Sequence, residues 1–253
     1  REYVDSTIAP HILGTVRKIN AEEYNERKDD GYKITDQIGE SGIEQACESE
    51  LRGTPGELTI TITKDGEITQ EVTKKPIQGN TVVLTIDRDL QVLAQNRLQG
   101  VCNKVNAASS AGAVVVEDVN SGELLAAASY PTYDLNDYYD KYDELISNPR
   151  NPLWSRFAMG TYAPGSTFKI LTTLEYIREN GTDNSFMYVC DGSDYEEGGT
   201  TIPCADGKAH GKQDLVDAFA NSCNSAFSHI GAGLKLTSFK NLCTSFLFNK
   251  NIP

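Results

Sequence analysis

The chain has 253 residues, of which 39% are hydrophobic and 23% charged, and its formal net charge is −13. This length suits one large domain or two of moderate size. The acidic balance argues against a nucleic-acid partner, which would need a basic face, and no apolar run within these residues is long enough to span a membrane.

The first part of the chain predicts short elements. Helices are predicted over residues 22–28 and 42–51, where apolar residues recur at helical spacing. Residues 58–63 and 67–73 alternate and are rich in β-branched side chains, and Lys-Asp-Gly turn chemistry separates them. This pattern predicts a β-hairpin, and residues 74–79 are the best candidate for a linker.

A second set of elements begins beyond residue 80. Residues 81–86 alternate as a strand, and an aspartate N-cap opens a helix over residues 87–98. Two apolar strands, residues 113–117 and 124–129, form a predicted hairpin, and their near-continuous apolar character favours a sheet covered on both faces. The polar, tyrosine-rich residues 133–150 are expected to loop over the surface.

The last part of the chain is mainly helical. Residues 166–179 have the strongest helical pattern, and similar periodicity returns over residues 214–234 and 238–248. Strands followed by several helices predict an α+β fold in which helices pack on an antiparallel sheet.

The spacing of the cysteines along the sequence matches no common metal-binding motif. No Cys-x-x-Cys pair occurs and no cysteine pairs with a histidine at zinc-finger spacing, so neither a structural zinc site nor any other metal or cofactor is expected. Cys190 and Cys204 flank a turn-rich segment that can bring them together, and a disulfide or two free thiols remain equally open. The six cysteines are Cys47, Cys102, Cys190, Cys204, Cys223 and Cys243.

The most informative stretch places Ser166 and Lys169 three residues apart at a helix start, directly after Pro164-Gly165. Side chains at i and i+3 share a helix face, so the amine can serve as the base for the hydroxyl. The helix start favours developing negative charge, and the backbone N–H of Ser166 is a candidate oxyanion donor. A lysine buried against Phe168 would have a lowered pKa.

A second short motif is Ser222-Cys223-Asn224. Its hydroxyl can relay a proton and its amide can hold a carbonyl group and the lysine. No Gly-x-Ser-x-Gly turn surrounds Ser166, and none of the three histidines (His11, His210 and His229) has the context of a catalytic triad.

Together these motifs resemble the class B penicillin-binding proteins, which are D,D-transpeptidases of bacterial cell-wall synthesis. Residues 164–169 and 222–224 look like the family's first two catalytic motifs, in the right order. Residues 82–91 and 113–136 resemble its transpeptidase domain, and residues 41–56 resemble its non-catalytic pedestal.

The resemblance implies a pedestal (dimerisation) domain over residues 1–79 and the N-terminal portion of a penicillin-binding, serine-transpeptidase-like domain over residues 80–253. Ser166 would attack the D-Ala-D-Ala carbonyl of a peptidoglycan stem peptide, or a β-lactam. Lys169 would be the base, Ser222 the proton relay and Asn224 the positioning residue. Other cell-wall synthesis proteins would be partners, at the extracytoplasmic face of the bacterial membrane.

One departure from the family pattern limits the expected activity. The third motif, Lys-Thr/Ser-Gly, does not occur before Pro253, and neither does the membrane anchor, so the chain is expected to be a C-terminally truncated fragment with weak or no activity. Two alternatives stay open, namely a non-catalytic penicillin-binding sensor or scaffold and a serine β-lactamase. The long pedestal-like segment argues against the β-lactamase.

Overall fold

The computed structural model of the protein describes residues 2–182, 185–193, 195–197 and 200–250. The chain forms two compact units, Arg1–Thr161 and Tyr162–Pro253. Helices and antiparallel strand pairs occur together, which confirms the predicted α+β class.

The described helices are α1 (Pro10–Leu13), α2 (Ala21–Arg27), α3 (Gly42–Ala46), α4 (Glu48–Leu51), α5 (Arg88–Asn106), α6 (Tyr142–Ser147), α7 (Arg156–Met159), α8 (Lys169–Asn180), α9 (Leu215–Ala220), α10 (Asn224–Gly233) and α11 (Leu236–Ser245). The described strands are β1 (Val16–Lys18), β2 (Gln37–Gly39), β3 (Glu57–Ile62), β4 (Ile68–Lys74), β5 (Gly112–Glu117), β6 (Leu124–Tyr130), β7 (Tyr188–Cys190), β8 (Tyr195–Glu197), β9 (Thr200–Ile202) and β10 (Gly211–Gln213). The antiparallel pairs are β1–β2, β3–β4, β5–β6, β7–β10 and β8–β9.

The predicted helix over residues 22–28 is α2, and a capping box fixes its start. The Asn20 side chain accepts a hydrogen bond from the Glu23 backbone N–H, and the Glu23 carboxylate accepts one from the Asn20 backbone N–H. The prediction of one continuous helix over residues 42–51 is wrong. The segment forms two helices, α3 and α4, because Cys47 between them leaves helical geometry at φ −111°.

The predicted hairpin over residues 58–73 is confirmed as β3–β4. Its turn includes Gly66 at φ +83°, a conformation that a side chain disfavours. Every residue of both strands is exposed, including the apolar ones.

At the centre of the first unit, α5 packs against β6. The predicted N-cap is confirmed, since the Asp87 carboxylate accepts a hydrogen bond of 2.8 Å from the Leu90 N–H. One turn later, the fully buried Gln91 amide both donates to and accepts from the Ala127 backbone at 2.8 Å. The predicted hairpin is β5–β6, and residues 126–129 of β6 are buried on both faces.

Two predictions in this unit are wrong. Residues 81–86 do not form a strand; the Thr85 hydroxyl donates to the Leu124 carbonyl, and the Asp87 N–H just beyond donates to the Leu125 carbonyl. Residues 133–150 do not simply loop over the surface. Tyr133, Leu135 and Tyr138 form a buried cluster, and the tyrosine hydroxyls donate to the Pro10 carbonyl and the Glu40 carboxylate, which removes the cost of burying them.

The second unit packs α8, α9 and α10 around one buried cluster. Leu215, Ala218, Phe227 and Ile230 lie in it together with three cysteines. The helical pattern predicted over residues 214–234 is interrupted at residues 221–223, between α9 and α10. The second sequence motif spans the end of this interruption and the first residue of α10.

Candidate active site

Ser166 lies in a single 3-10 turn, Gly165–Phe168, that leads directly into α8. Gly165 enters this turn at φ +57°, in the left-handed region that glycine tolerates best. Ser166 is exposed and lies at the N-terminal end of the helical segment, as the sequence predicts. The hydroxyl is therefore accessible to a substrate at the positive end of the helix dipole.

The structure brings all four predicted site residues together around one amine. The Lys169 Nζ lies 3.3 Å from the Ser166 Oγ and 3.0 Å from the Ser222 Oγ. The same amine donates to the Ser222 backbone carbonyl at 2.6 Å and to the Asn224 Oδ1 at 2.7 Å. Lys169 therefore links the two sequence motifs.

The hydrogen-bond partners around Lys169 can accommodate a neutral amine as well as an ammonium group. A backbone carbonyl and an amide oxygen only accept hydrogen bonds, so together they use two N–H groups of the amine. A neutral amine has two N–H groups and one lone pair. With both N–H groups used, the lone pair is left to accept a proton from the Ser166 or the Ser222 hydroxyl.

The partial burial of Lys169 favours the neutral amine. Burial lowers the pKa of the Lys169 amine below the ordinary lysine value, although the nearby Cys223 and Cys204 thiols act to raise it. The Phe227 ring centroid lies 5.5 Å from the amine, a cation–π distance that favours the charged form. Phe168 packs edge-on against Phe239 and Phe248.

Both polar residues of the second motif are held in defined positions. Ser222 has a φ of +49°, which is sparsely populated for a residue with a side chain and persists only where the surroundings enforce it. The Asn224 Nδ2 donates to the Pro203 carbonyl at 3.0 Å. This bond turns the Oδ1 of the same amide toward Lys169.

Directly behind the second motif lies a group of four potential metal ligands, which we call the donor cluster: Cys190, Cys204, His210 and Cys223. Their donor atoms all lie within 4.8 Å of one another. The three thiols are buried, and the imidazole is half-buried. The predicted approach of Cys190 and Cys204 is confirmed, and both are free thiols.

The spacing of the donor cluster fits a tetrahedral zinc ion. Zn–S bonds of about 2.3 Å and Zn–N bonds of about 2.0 Å give tetrahedral edges of about 3.8 Å between sulfurs and about 3.5 Å between sulfur and nitrogen. The sulfur of Cys204 lies 3.7 Å from that of Cys190 and 3.9 Å from that of Cys223. The His210 Nδ1 lies 3.4 and 3.5 Å from the sulfurs of Cys190 and Cys204, respectively. Three thiols and one imidazole are also the ligand types that zinc prefers.

The electrostatics of the thiols differ within the donor cluster. Burial acts to raise the pKa of Cys204, but hydrogen bonds from the Ser225 backbone, the Cys190 thiol and the Asn224 backbone outweigh it, and the pKa is lowered. Burial raises the pKa of Cys223. The pKa is therefore lowered for one thiol of the cluster and raised for another.

The donor cluster was not predicted from the sequence. Cys190 and Cys204 are 14 residues apart, and Cys204 and Cys223 are 19 apart, so no short spacing motif links them. The signal in the sequence was the concentration of three cysteines and a histidine just before and within the second motif. The other histidines have different surroundings, since His11 bonds the Pro152 carbonyl and His229 stacks near Tyr188.

Comparisons with known proteins match almost the whole chain. The family model described as the penicillin-binding protein dimerisation domain matches residues 1–84, and the penicillin binding protein transpeptidase domain matches residues 112–253. The peptidoglycan D,D-transpeptidase MrdA of Haemophilus influenzae is 30% identical over 261 residues, which cover 98% of this chain and 38% of the relative. MrdA of Acinetobacter baumannii is 33% identical over 175 residues, covering 67% of this chain and 25% of the relative.

A solved structure supports the same fold. The complex between the penicillin-binding protein PBP2 and MreC from Helicobacter pylori contains a chain that matches with a TM-score of 0.76 and 25% identity, covering 96% of this chain and 44% of that one. The chain thus spans less than half the length of each of these proteins. Within the described part of the chain, no helix combines the length and the apolar character that crossing a bilayer requires.

Proposed function

Because the chain belongs to the class B penicillin-binding proteins, a family that includes peptidoglycan D,D-transpeptidases, we propose that Ser166 is the nucleophile of a serine acyl-transfer reaction. The proposed substrate is a peptidoglycan stem peptide that ends in D-Ala-D-Ala. The observation that supports this proposal most strongly is the position of the Lys169 amine, which bonds two acceptors and faces two serine hydroxyls.

In the first half-reaction, the Ser166 Oγ attacks the carbonyl carbon of the penultimate D-Ala while Lys169 accepts the hydroxyl proton. The negative charge that develops on the carbonyl oxygen is stabilised at the N-terminal turn, where the Ser166 backbone N–H is one oxyanion donor. The peptide bond to the terminal D-Ala then breaks. Ser222 relays the proton from Lys169 to the amine that leaves.

In the second half-reaction, the amine of a neighbouring stem peptide attacks the acyl-enzyme ester. Its proton returns through Ser222 and Lys169, and Ser166 is released as the free hydroxyl. Asn224 holds the lysine and a carbonyl group of the substrate throughout. A β-lactam presents a strained amide to the same hydroxyl and leaves Ser166 acylated.

The proposed location is the extracytoplasmic face of the bacterial membrane, where the substrate is found. Other proteins of cell-wall synthesis are proposed as partners, in line with the complex of PBP2 with MreC among the similar structures. The division into a pedestal over residues 1–79 and a transpeptidase portion over residues 80–253 remains a prediction.

A fluorescent penicillin tests the proposal in the full-length protein. We expect a single covalent adduct that peptide mass spectrometry assigns to Ser166, and no adduct in Ser166→Ala. The matched control is Thr167→Ser, which keeps the hydroxyl that bonds the Pro164 carbonyl and should keep the adduct. An adduct that persists in Ser166→Ala would contradict the proposal. Rapid, repeated turnover of the penicillin would favour the β-lactamase alternative.

A further inference from the structure

Ser222 supplies two of the oxygens around the Lys169 amine, and both depend on the shape of one short turn, residues 221–223, between α9 and α10. The Ser222 carbonyl lies 2.6 Å and its Oγ 3.0 Å from the Lys169 Nζ. The left-handed φ of +49° that gives this arrangement is disfavoured for a residue with a side chain. A return to a commoner backbone conformation would reorient both oxygens, so the neighbours of Ser222 must hold it.

The backbone holds Ser222 in a Schellman motif at the end of α9. The Cys223 N–H donates to the Ala218 carbonyl at 3.0 Å, and the Ser222 N–H donates to the Phe219 carbonyl at 3.0 Å. Ser222 thus occupies the position after the C-cap that glycine usually takes. Because α9 has only six residues, its own hydrogen bonds give this end limited support.

A side-chain hydrogen bond joins the two ends of α9. Gln213 is the last residue of β10, and Asn221 is the C-cap of α9. The Asn221 Nδ2 donates to the Gln213 Oε1 at 3.0 Å. Gln213 is 1% exposed, and its backbone pairs with Tyr188 of β7. The bond therefore ties the residue immediately before Ser222 to a strand pair.

The chemistry of Gln213 indicates what this bond adds. Burying an amide costs free energy unless the amide is hydrogen-bonded, and an apolar side chain of the same length would fill the same space without that cost. The amide supplies what an apolar side chain lacks, an acceptor for the Asn221 Nδ2.

We infer that Gln213 and Asn221 are positioning residues of the proposed acyl-transfer site, whose hydrogen bond keeps Ser222 turned toward Lys169. This inference rests on the proposed function of Ser166. Both residues act through Ser222 and not on the substrate. Without the bond, the two Ser222 oxygens face the amine for a smaller fraction of the time. The loss therefore falls on the acylation rate constant and not on the dissociation constant of the non-covalent penicillin complex.

The experiment measures acylation of the full-length protein by fluorescent penicillin at several concentrations, which separates these two constants. Asn221 is exposed, so Asn221→Ala removes the donor without opening a cavity. We expect the acylation rate constant to fall about 5-fold to 10-fold, the value of one hydrogen bond, and the dissociation constant to stay within about 2-fold. The matched control is Asn180→Ala, which removes a 3.0 Å bond to the Tyr176 carbonyl at the exposed end of α8 and should change neither constant.

A double-mutant cycle shows whether the two residues act as one unit. Gln213→Met removes the acceptor and keeps the length of the side chain, so it should slow acylation by the same factor as Asn221→Ala. The double variant should be no slower than either single variant, because the same bond is lost in all three. If Gln213→Met does not fold, Asn221→Ala and its control still decide the question through the two constants.

The inference is overturned if Asn221→Ala is acylated at the wild-type rate, if its loss appears in the dissociation constant, or if the two effects multiply in the double variant. A lower free energy of unfolding with unchanged acylation would also overturn it, since the bond would then be structural only. Failure of the proposed function gives a different result. In that case the wild type forms no penicillin adduct on Ser166, while urea unfolding of the same variants still reports the coupling of Gln213 with Asn221.

Discussion

Each unit contains a polar side chain with several hydrogen-bond partners, the buried Gln91 in the first and the half-buried Lys169 in the second, but the consequences are opposite. In the first unit, the Gln91 amide bonds the N–H and the carbonyl of Ala127, and its second N–H bonds Gln95. In the second unit, the Lys169 amine donates to the Ser222 carbonyl and to Asn224. Gln91 has no basic atom left over, whereas a neutral lysine has a lone pair.

The difference shows how hydrogen bonding contributes to stability at Gln91 and to the proposed reactivity at Lys169. Satisfying every donor and acceptor of Gln91 joins α5 to β6, which gains stability and specificity. In a neutral Lys169, the two acceptors use both N–H groups and leave one electron pair next to the Ser166 hydroxyl. Counting the hydrogen-bond partners of each side chain thus indicates a structural role for Gln91 and supports the proposed role of Lys169 as general base.

The largest expected effect comes from removing the lone pair. Lys169→Met keeps the length and the apolar stem of the side chain but has no basic atom. We expect acylation of Ser166 by penicillin to slow about 1000-fold, within the range for loss of a general base. The control is Lys240→Met, the same change at an exposed position of α11, which should leave the rate unchanged. A Lys169→Met rate within a few-fold of the wild type would contradict the base assignment.

The next effect is on stability alone. Gln91→Leu leaves the buried Ala127 N–H and carbonyl without their side-chain partner, and we expect the free energy of unfolding to fall by about 2–4 kcal/mol. Gln99→Leu, an exposed position on the same helix, is the matched control and should change stability by less than about 0.5 kcal/mol. Urea unfolding measures both variants. Equal stabilities for the two variants would show that the buried amide adds nothing.

A smaller effect is expected from Asn224→Ala, which removes one acceptor from the Lys169 amine and the bond to Pro203. The amine keeps its lone pair but loses its orientation, so acylation should slow by about 10-fold to 100-fold, less than in Lys169→Met. Asn241→Ala, exposed on α11, provides the comparison with no expected change. If Asn224→Ala were as slow as Lys169→Met, the amide would have more than a positioning role.

Parts of this site were predictable from the sequence because they depend on local geometry. The i, i+3 spacing of Ser166 and Lys169 fixes their approach on one helical face. The Asp87 cap and the hairpin of β5 and β6 follow from short-range rules of the same kind. The order of the two motifs and the resemblance to a family then pointed to Ser222 and Asn224, whose contact with Lys169 spans more than 50 residues.

Other parts were not predictable because tertiary contacts decide them. Residues 81–86 alternate like a strand, but they form none, and the contacts to β6 are the bonds from the Thr85 hydroxyl and from the Asp87 N–H. Tyr133 and Tyr138 belong to a polar stretch, yet they are buried because distant acceptors satisfy their hydroxyls. The donor cluster is the clearest case, since β7, the start of α10 and the segment between them each supply part of it.

The pH dependence of Ser166 acylation tests the central claim, a neutral Lys169 acting as base, most directly. The neutral fraction of an amine grows as pH rises through its pKa, and burial lowers the pKa of Lys169, so the rate should rise with an apparent pKa below the ordinary lysine value of about 10.4. This rise should be absent in Lys169→Met. A rate that does not change with pH, or a rise with the same midpoint in the wild type and in Lys169→Met, would contradict the account.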